Sequence, residues 1–567
     1  MKNLSDNKLG WLFASPYLLY TLIFFLIPLV WSIYLAFTNW DMIAPNYEFV
    51  VFENFIDALQ HSGVQSAFFV TFKFLAIFVP MVTLASLMVA MAVQGLPRFK
   101  GLFLIGFFLP YLASGVVSSL IVKGILSYNS PVNEFLRGTF GLDIDWLGTP
   151  FSALLVVSVI IAWKFSGYYA LILTAGLESI NKEIYEAAAI DGINRWQQFW
   201  KVTIPMLYPA LFTTLILSVG VTFGVFTEVY QLTGGGPNYA TNTWQMEIYT
   251  QAFTNLKAGY ASAVALISAV VTFVGIYVFK KLLEVWGGND MVGANKKKTL
   301  FIRYILSFSL LGIMVFPYLY MVIMSFADWS QVDRKLIPTS FTLRSYEWLF
   351  VGGEVVDPKP WLRAFFNTFI VSAVSTFLMM ITGIVVAYTL AKIKFKGGKF
   401  LSNAILFQMF FPAVILLVPM FLMIQDIGLY DTYWAMIIPK ALSLWAVFMY
   451  TNFFRAIPDT FIESAKLDGA STFQIMIKIA VPMSKSITTV IFLFLFMERW
   501  TELLWDMIVV RSENMLTLNV LISQMFGPYG GYPGPMYAAS VLLTIPIIIL
   551  FLFFAKSFKE GMQFTLK

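Results

Sequence analysis

Long apolar runs separated by short polar segments make up most of this chain. Hydrophobic residues occupy 59% of the 567 positions and charged residues only 12%, with a mean hydropathy of +0.77. Soluble domains carry about 25% charged residues, and a helix needs about 20 apolar residues to cross a membrane. The pattern therefore predicts an all-α polytopic membrane protein with twelve transmembrane helices, six in each half. The predicted spans are residues 11–37, 66–93, 102–126, 153–177, 206–230 and 260–283, then 300–326, 364–390, 400–424, 433–454, 485–510 and 536–555.

The charges between these runs predict the orientation of the chain. The first long loop and the start of the next span, residues 38–71, contain four acidic residues and neither lysine nor arginine. Alternate loops, beginning with Arg98 and Lys100, are basic, as cytoplasmic loops are under the positive-inside rule. Both termini are therefore expected in the cytoplasm, although residues 328–363 mix both charges and fit less well.

A Gly- and Asn-rich stretch followed by lysines divides the halves. This composition is typical of a flexible linker, so we predict a permease domain at 1–286, a cytoplasmic linker at 287–299 and a second permease domain at 300–567. Met291, followed by a basic run and a span, also resembles a translation start. A natural fusion and two subunits joined end to end both remain open.

Several chemistries are excluded or unsupported by composition. Cysteine is absent, and the single histidine, His61, cannot build a His-based metal site alone and is expected to be a polar loop residue. No Gly-x-x-x-x-Gly-Lys-[Ser/Thr] phosphate loop occurs, because Gly234–Gly236 lacks the lysine. We therefore expect neither a metal, a bound cofactor nor enzymatic activity in this chain. The net charge of +6 fits a membrane protein rather than a nucleic-acid-binding one.

A repeated element lies between the fourth and fifth predicted spans of each half. Glu-x-Ala-x-x-Asp-Gly recurs 277 residues later, and each copy is followed thirteen residues after its glycine by a proline. Each copy predicts a short helix of small and acidic residues that ends at a glycine, then a second amphipathic segment and a proline that begins the next span. The element is either a docking surface for a cytoplasmic partner or an interfacial helix that only orders the loop. Its candidate docking residues are Glu186, Ala187, Ala188, Asp191, Gly192 and Pro205 in the first copy and Glu463, Ser464, Ala465, Asp468, Gly469 and Pro482 in the second.

This motif resembles the coupling loop of binding-protein-dependent ABC importer permeases. Passages such as Leu232-Thr-Gly-Gly-Gly-Pro237 and Gly428-Leu-Tyr-Asp-Thr-Tyr-Trp434 are similar to the maltose-type, carbohydrate branch of that family. The resemblance implies two homologous six-helix permease halves in the cytoplasmic (inner) membrane of a bacterium or archaeon. It departs from the family in joining two usually separate permeases, and Ser464 replaces one small residue of the motif by another.

The family also implies partners. Each motif helix is expected to dock on one of two copies of a cytoplasmic ABC ATPase subunit, which bind ATP and magnesium. A sugar-binding protein outside the membrane is expected to deliver the sugar or oligosaccharide, and membrane lipid surrounds the spans. We expect no nucleic-acid partner.

Ionisable and aromatic residues inside spans are candidates for contact with substrate. Rings can stack on the C–H faces of sugars while polar groups bind hydroxyls, although most aromatic residues in such a chain must serve packing. The candidate substrate-lining residues are Trp163, Lys164, Tyr168, Phe223, Thr227, Glu228 and Tyr230. Glu498, Arg499 and Glu502 predict an ion-pair cluster that is either structural or part of a gate.

One other class of transporter shares this architecture. Secondary transporters driven by an ion gradient also have two halves of six spans. They require an acidic coupling network near the membrane midplane. A membrane enzyme is poorly supported, because no nucleophile–base pair or cofactor fingerprint is visible.

Overall fold

The computed structural model describes residues 6–43, 46–94, 96, 98–190, 193–286, 300–353, 358–409, 411–526 and 532–565. The predicted linker at 287–299, with Met291, lies outside the described residues. Within them the regular structure is helical, with two isolated β-bridges, Thr38–Phe49 and Ala327–Phe341.

The first half contains fourteen α-helices in the described part of the chain. They are α1 (Asp6–Thr21), α2 (Ile27–Leu35), α3 (Glu53–Gln60), α4 (Ser62–Val93), α5 (Lys100–Leu112), α6 (Gly115–Ile125), α7 (Pro131–Phe140), α8 (Pro150–Ser179), α9 (Lys182–Ile190), α10 (Arg195–Gln198), α11 (Ile204–Phe223), α12 (Thr227–Leu232), α13 (Trp244–Tyr249) and α14 (Ala258–Trp286). π-Helical turns at Leu22–Leu26, Phe199–Thr203 and Thr250–Thr254 join neighbouring helices.

The second half contains a corresponding series. Its helices are α15 (Leu300–Ser325), α16 (Arg344–Val351), α17 (Trp361–Lys392), α18 (Gly398–Met409), α19 (Leu417–Asp426), α20 (Tyr433–Ile437), α21 (Leu444–Ala456), α22 (Asp459–Leu467), α23 (Thr472–Ile475), α24 (Val481–Met483), α25 (Lys485–Trp500), α26 (Leu504–Val509), α27 (Leu518–Met525) and α28 (Pro533–Thr565). A π-helical turn occupies Met476–Ala480, and 3₁₀ turns occupy Ala413–Leu416, Ile438–Lys440 and Glu513–Met515.

The predicted fold class is confirmed. Eight helical stretches in the described residues are long and apolar enough to span a membrane, and counting four bent helix pairs as one span each gives twelve. Several spans differ from the straight helices that the sequence predicted. The third span bends by 94° between α5 and α6, where Ser114 caps α6. The predicted spans 206–230 and 485–510 are each interrupted, because α11 and α25 end before the short helices α12 and α26.

The chain divides into two compact units that do not follow the order of the sequence. One, here called the amino-core unit, consists of Phe52–Trp361 and Leu521–Ile548. The other, the carboxy-core unit, consists of Met1–Val51, Leu362–Val520 and Ile549–Lys567. Each unit therefore contains segments from both halves of the sequence.

The amino-core unit is built around α8, which packs against α4, α5 and α11. Gly167 allows the close approach of α8 and α5, since a Cβ there would lie 1.7 Å from the carbonyl oxygen of Phe107. Small residues commonly permit such contacts between membrane helices. Helix α15 belongs to this unit through Met314, which is buried against Phe103 and Phe107.

The carboxy-core unit packs α18 and α25 against α21 and includes the first span of the chain. The Tyr17 hydroxyl donates to Gln408 Oε1 at 2.9 Å, and the Tyr20 hydroxyl donates to the carbonyl oxygen of Pro439 at 2.5 Å. These bonds, one buried and one half-buried, attach α1 to α18 and to the turn after α20.

Candidate coupling elements and intramembrane ion pairs

Within the described residues the sequence repeat is also a repeat of secondary structure. Helices α9 and α22, α10 and α23, and the two π-helical turns that follow them begin and end 277 residues apart. Pro205 and Pro482 are each the second residue of the next helix, where a missing N–H leaves no hydrogen bond unmade. We call residues 182–205 and 459–482 the coupling elements.

A glycine terminates the first helix of the second coupling element, two residues after the last helical residue Leu467, as predicted. Gly469 has a φ of +79°, in the left-handed region. Its N–H donates to the carbonyl oxygen of Lys466, and the N–H of Ala470 donates to that of Ala465, both at 3.0 Å. This pair of bonds is the Schellman motif. Asp191 and Gly192 of the first element lie outside the described residues.

Reciprocal capping begins the second helix of each element. In the first, the side-chain oxygens of Asn194 and Gln197 each accept from the other residue's backbone N–H, at 2.9 and 3.1 Å. Ser471 and Gln474 make the same pair of bonds in the second, at 3.3 and 2.8 Å. Each pair satisfies donors that a helix start leaves unpaired. The repeat of small, acidic and apolar residues did not predict this capping, although both copies have glutamine at the same position.

The first helix of each coupling element, α9 or α22, has a buried side chain in its middle and an exposed side chain at its last residue. Ala188 packs with Val202 beneath α9, and Ile462 is buried beneath α22. Their last residues, Ile190 and Leu467, are 86% and 88% exposed, the two highest values among the large hydrophobic side chains that the structure describes. An apolar side chain that the rest of the chain leaves uncovered at the same position in both copies is typical of a surface that a partner covers.

The remaining predicted docking residues surround these ends. Glu186 and Ala187 are exposed on α9, and Glu463 and Ser464 are exposed on α22. Ala465 is half-buried and Asp468 is exposed. In the first element the Tyr185 hydroxyl donates to Thr203 Oγ1 at 3.3 Å, which ties α9 to the π-helical turn, and burial raises the pKa of this tyrosine.

The structure brings two predicted substrate-lining residues into direct contact within the amino-core unit. Lys164 Nζ on α8 lies 2.7 Å from Glu228 Oε1 on α12, and both side chains are largely buried. The Glu228 carboxylate is also next to Gly115, the first residue of α6, where a Cβ would lie 2.6 Å from Oε1. The positive end of a helix favours a negative charge there.

The aromatic candidates have different surroundings. Trp163 stacks on Tyr318 with ring centroids 5.4 Å apart, and Tyr168 stacks on Tyr111 at 4.9 Å. Tyr230 stacks on Phe226, next to the start of α12. Phe223 is buried against α14, since a Cβ at Gly275 would lie 2.7 Å from its ring. Thr227 shares the surroundings of Glu228, because its methyl group also lies beside Gly115.

A second ion-pair network lies in the carboxy-core unit. Arg499 Nη2 donates to Asp506 Oδ1 at 3.0 Å, and Glu502 lies 3.6 Å from Arg499 and 3.3 Å from Lys440 Nζ. Arg499, Glu502 and the nearby Glu498 were predicted to cluster, but Asp506 and Lys440 were not.

This network and the Lys164–Glu228 pair occupy similar places in the two halves of the sequence. Glu228 is on α12, and Asp506 is on α26, which begins 277 residues after α12. Phe226 and Leu503, which precede these helices, have similar backbone angles (φ −135°, ψ −59° and φ −119°, ψ −58°).

No group of three or more His, Asp or Glu side chains that could hold a metal ion occurs in the described ranges. The candidate site consists of helices α9 and α22, whose last residues are exposed, and of buried ion pairs beside the helix break within each predicted fifth span. Ion pairs can orient these segments or bind a polar solute, and the exposed helices offer a surface to a partner.

Comparison with known proteins identifies relatives of this chain. The multiple sugar-binding transport system permease protein of Streptococcus mutans is 32% identical over 263 residues, which are 46% of this chain and 90% of that protein. The lactose transport system permease protein of Rhizobium radiobacter is 34% identical over 284 residues, 48% of this chain and 94% of that protein. A solved structure of a bacterial ABC transporter for import of the acidic polysaccharide alginate includes a chain that matches with 24% identity and a TM-score of 0.41, covering 47% of this chain and 99% of its own.

The family assignment rests on two separate matches within the chain. Residues 54–284 and residues 379–563 both match the model of the binding-protein-dependent transport system inner membrane component. One match falls in each half, in agreement with the internal repeat. The chain belongs to the family of binding-protein-dependent transport system inner membrane components.

Proposed function

We propose that this chain forms the transmembrane passage of an ATP-driven importer for a sugar or oligosaccharide. Two copies of a cytoplasmic ABC ATPase would bind ATP and magnesium and dock on the coupling elements, and an extracytoplasmic binding protein would deliver the sugar. The relatives named for multiple-sugar and lactose transport support the substrate class. The chain would lie in a bacterial or archaeal cytoplasmic membrane with both termini inside.

One observation carries the coupling part of this proposal. The helices of the two coupling elements begin and end at equivalent positions of the repeat. The first helix of each element has an almost fully exposed apolar side chain at its last residue. Two identical partner subunits need two equivalent surfaces, and a repeat provides them. Exposed apolar anchors that become buried on binding commonly supply much of the affinity of an interface.

The substrate path is proposed from the buried polar contacts of the amino-core unit. The pair Lys164–Glu228 offers charged hydrogen-bonding groups within spans, where ionisable residues are costly and are usually functional. Trp163, Tyr168 and Thr227 supply rings and a hydroxyl nearby, and Phe223 and Tyr230 complete the proposed lining.

Substitution of the exposed ends tests the docking surface. The double variant I190D/L467D is expected to insert and fold normally, because exposed positions rarely change stability by more than about 0.5 kcal/mol. Copurification of the ATPase should fall, since the loss of an interface anchor costs about 2 kcal/mol, roughly thirtyfold in affinity. Binding-protein-stimulated ATP hydrolysis in reconstituted vesicles should fall with it.

The control is I337D, a change at a side chain that is 73% exposed in the predicted outer loop. It should leave both measurements unchanged. Retention of a bound, stimulated ATPase by I190D/L467D would contradict the docking proposal. Sugar uptake by the purified chain with an ion gradient and without any ATPase would instead identify a secondary transporter.

A further inference from the structure

The coupling element of the carboxy-core unit is attached to a long span by one buried lysine. Lys392 is the last residue of α17, and its side chain is only 5% exposed. Its Nζ donates to the carbonyl oxygen of Ile457 and to Asp459 Oδ1, both at 2.6 Å. Ile457 follows α21, and Asp459 is the first residue of α22. A single ammonium group therefore joins three helices.

The Lys392 ammonium is held in place more tightly than the ammonium of a surface ion pair. The Asp459 carboxylate is 74% exposed, and exposed pairs contribute little to stability. The ammonium, however, is buried together with its apolar stem and has a second acceptor fixed in the backbone. The hydrogen bond from Lys392 and the attraction of its charge lower the pKa of Asp459, so the carboxylate stays ionised at neutral pH. The contact orients α22 rather than stabilising the protein as a whole.

The first coupling element has different residues at the positions that match Asp459 and Lys392. Lys182 occupies the position of Asp459, so the charge there is reversed. Helix α4, which has the same length as α17, ends at Val93 instead of at a lysine. In the amino-core unit an ion pair between Lys100 and Glu178 joins α5 to the end of α8, but it does not include a residue of α9.

We propose that Lys392 is a positioning residue that makes α22 move as one body with α17 and α21 during transport. This inference rests on the proposed function, because it needs an ATPase bound to α22. Movement of the ATPase would then pass directly into a membrane span through Lys392. We call the two hydrogen bonds of Lys392 the tether. Without it, α22 would move with the ATPase while α17 stayed in place, and ATP would be hydrolysed without transport.

The test uses the full chain reconstituted in vesicles with its ATPase and binding protein. The variants are K392M, which keeps the apolar stem, K392R, which keeps the charge and donors, and D459N, which weakens the tether at an exposed position. The readout is sugar transported per ATP hydrolysed. We expect this ratio to fall about fivefold in K392M and D459N, at the lower end of typical coupling effects. K392R should restore the ratio, and K399M, at an exposed lysine seven residues away, should leave it unchanged.

The amount of ATPase that copurifies separates this inference from the proposed function. A normal amount of bound ATPase with a reduced transport ratio in K392M and D459N, and rescue by K392R, supports the positioning role. An unchanged ratio in D459N or in correctly folded K392M would overturn it while leaving the proposed function intact. Absence of any bound ATPase on the wild-type chain would overturn the proposed function itself.

Discussion

Asp333 illustrates how single polar residues are held inside this protein. It lies in the loop after α15, is almost fully buried, and has a φ of +58°. Its Oδ1 accepts from the hydroxyls of Tyr320 at 3.0 Å and Tyr537 at 2.6 Å. Burial raises the pKa of Asp333, although both hydrogen bonds oppose this effect. The bonds tie the loop to α15 and α28 within the amino-core unit, at the cost of burying an acidic group.

Two substitutions at Asp333 should differ in their effect on the free energy of unfolding. Because both tyrosines donate to the same oxygen, D333N keeps an acceptor for them, and asparagine tolerates the left-handed backbone. We expect its thermal stability at pH 7 to equal or exceed that of the wild type. D333A leaves two buried hydroxyls without an acceptor and should lose about 1–3 kcal/mol for each.

The dependence on pH provides a second measurement of the same contact. An acidic group whose pKa is higher in the folded than in the unfolded state makes a protein less stable as the pH rises above the unfolded value, about 3.9. Thermal melts in detergent should show this loss in the wild type and not in D333N. Equal destabilisation by D333N and D333A would contradict this explanation, since it would mean that the charge itself is required.

At the scale of residues, the sequence could predict which groups were unusual but not their partners. Lys164 and Glu228 were both noticed because they are ionisable residues in apolar runs. Lys440, the partner of Glu502, is 62 residues away, and no periodic pattern connects them. Asp506 was missed because the predicted span 485–510 was continuous, whereas the helix break after Trp500 brings Asp506 back to Arg499.

At the scale of elements, repetition made the coupling elements predictable. A glycine stop, a second amphipathic segment and a proline were all read from two copies of one pattern. The π-helical turns at Phe199–Thr203 and Met476–Ala480 were not predicted, because they follow from a local change in hydrogen bonding that amphipathic spacing does not distinguish. Beyond the prolines the copies diverge: α10 and α11 form one span, whereas the chain bends by 82° before α25.

A contact between two loops of the carboxy-core unit gives a prediction at this scale. Asp431 Oδ1 accepts from the backbone N–H groups of Arg511 and Ser512, both at 2.9 Å. Burial raises the pKa of Asp431, but the hydrogen bonds from Ser512 and Arg511 outweigh it, so the pKa is lowered. An acidic group of this kind stabilises the loops above its unfolded pKa and loses that effect as the pH falls through the lowered value.

Amide hydrogen exchange at Arg511 and Ser512 measures this contact directly. D431A should reduce their protection about fivefold at pH 7, equivalent to about 1 kcal/mol for the lost hydrogen bonds. In the wild type, protection corrected for intrinsic exchange should decline below about pH 4. D426A, at an exposed aspartate five residues earlier, is the control. Unchanged protection in D431A would show that another contact holds these loops.

At the scale of the whole molecule, the apolar runs predicted the number of spans but not their neighbours. Hydrophobic length shows that a helix can cross the membrane, and small or polar side chains decide what it packs against. Helix α1, the first span of the first half, belongs to the carboxy-core unit. Helix α15, the first span of the second half, belongs to the amino-core unit. The division into domains at 1–286 and 300–567 remains a prediction about the sequence, and the linker lies outside the described residues.

This exchange of first spans predicts how the protein should respond to a cut in the linker. Two polypeptides, residues 1–290 and 291–567, should assemble when coexpressed, because α1 is held by Gln408 and Pro439, and α15 by Phe103 and Trp163. A tag on one fragment should recover the other in equal amount. Expressed alone, either fragment lacks the partner surface for its first span and should aggregate or be degraded. Removal of residues 1–37 from the first fragment should reduce recovery of the second, and full recovery without that span would show that other contacts join the halves.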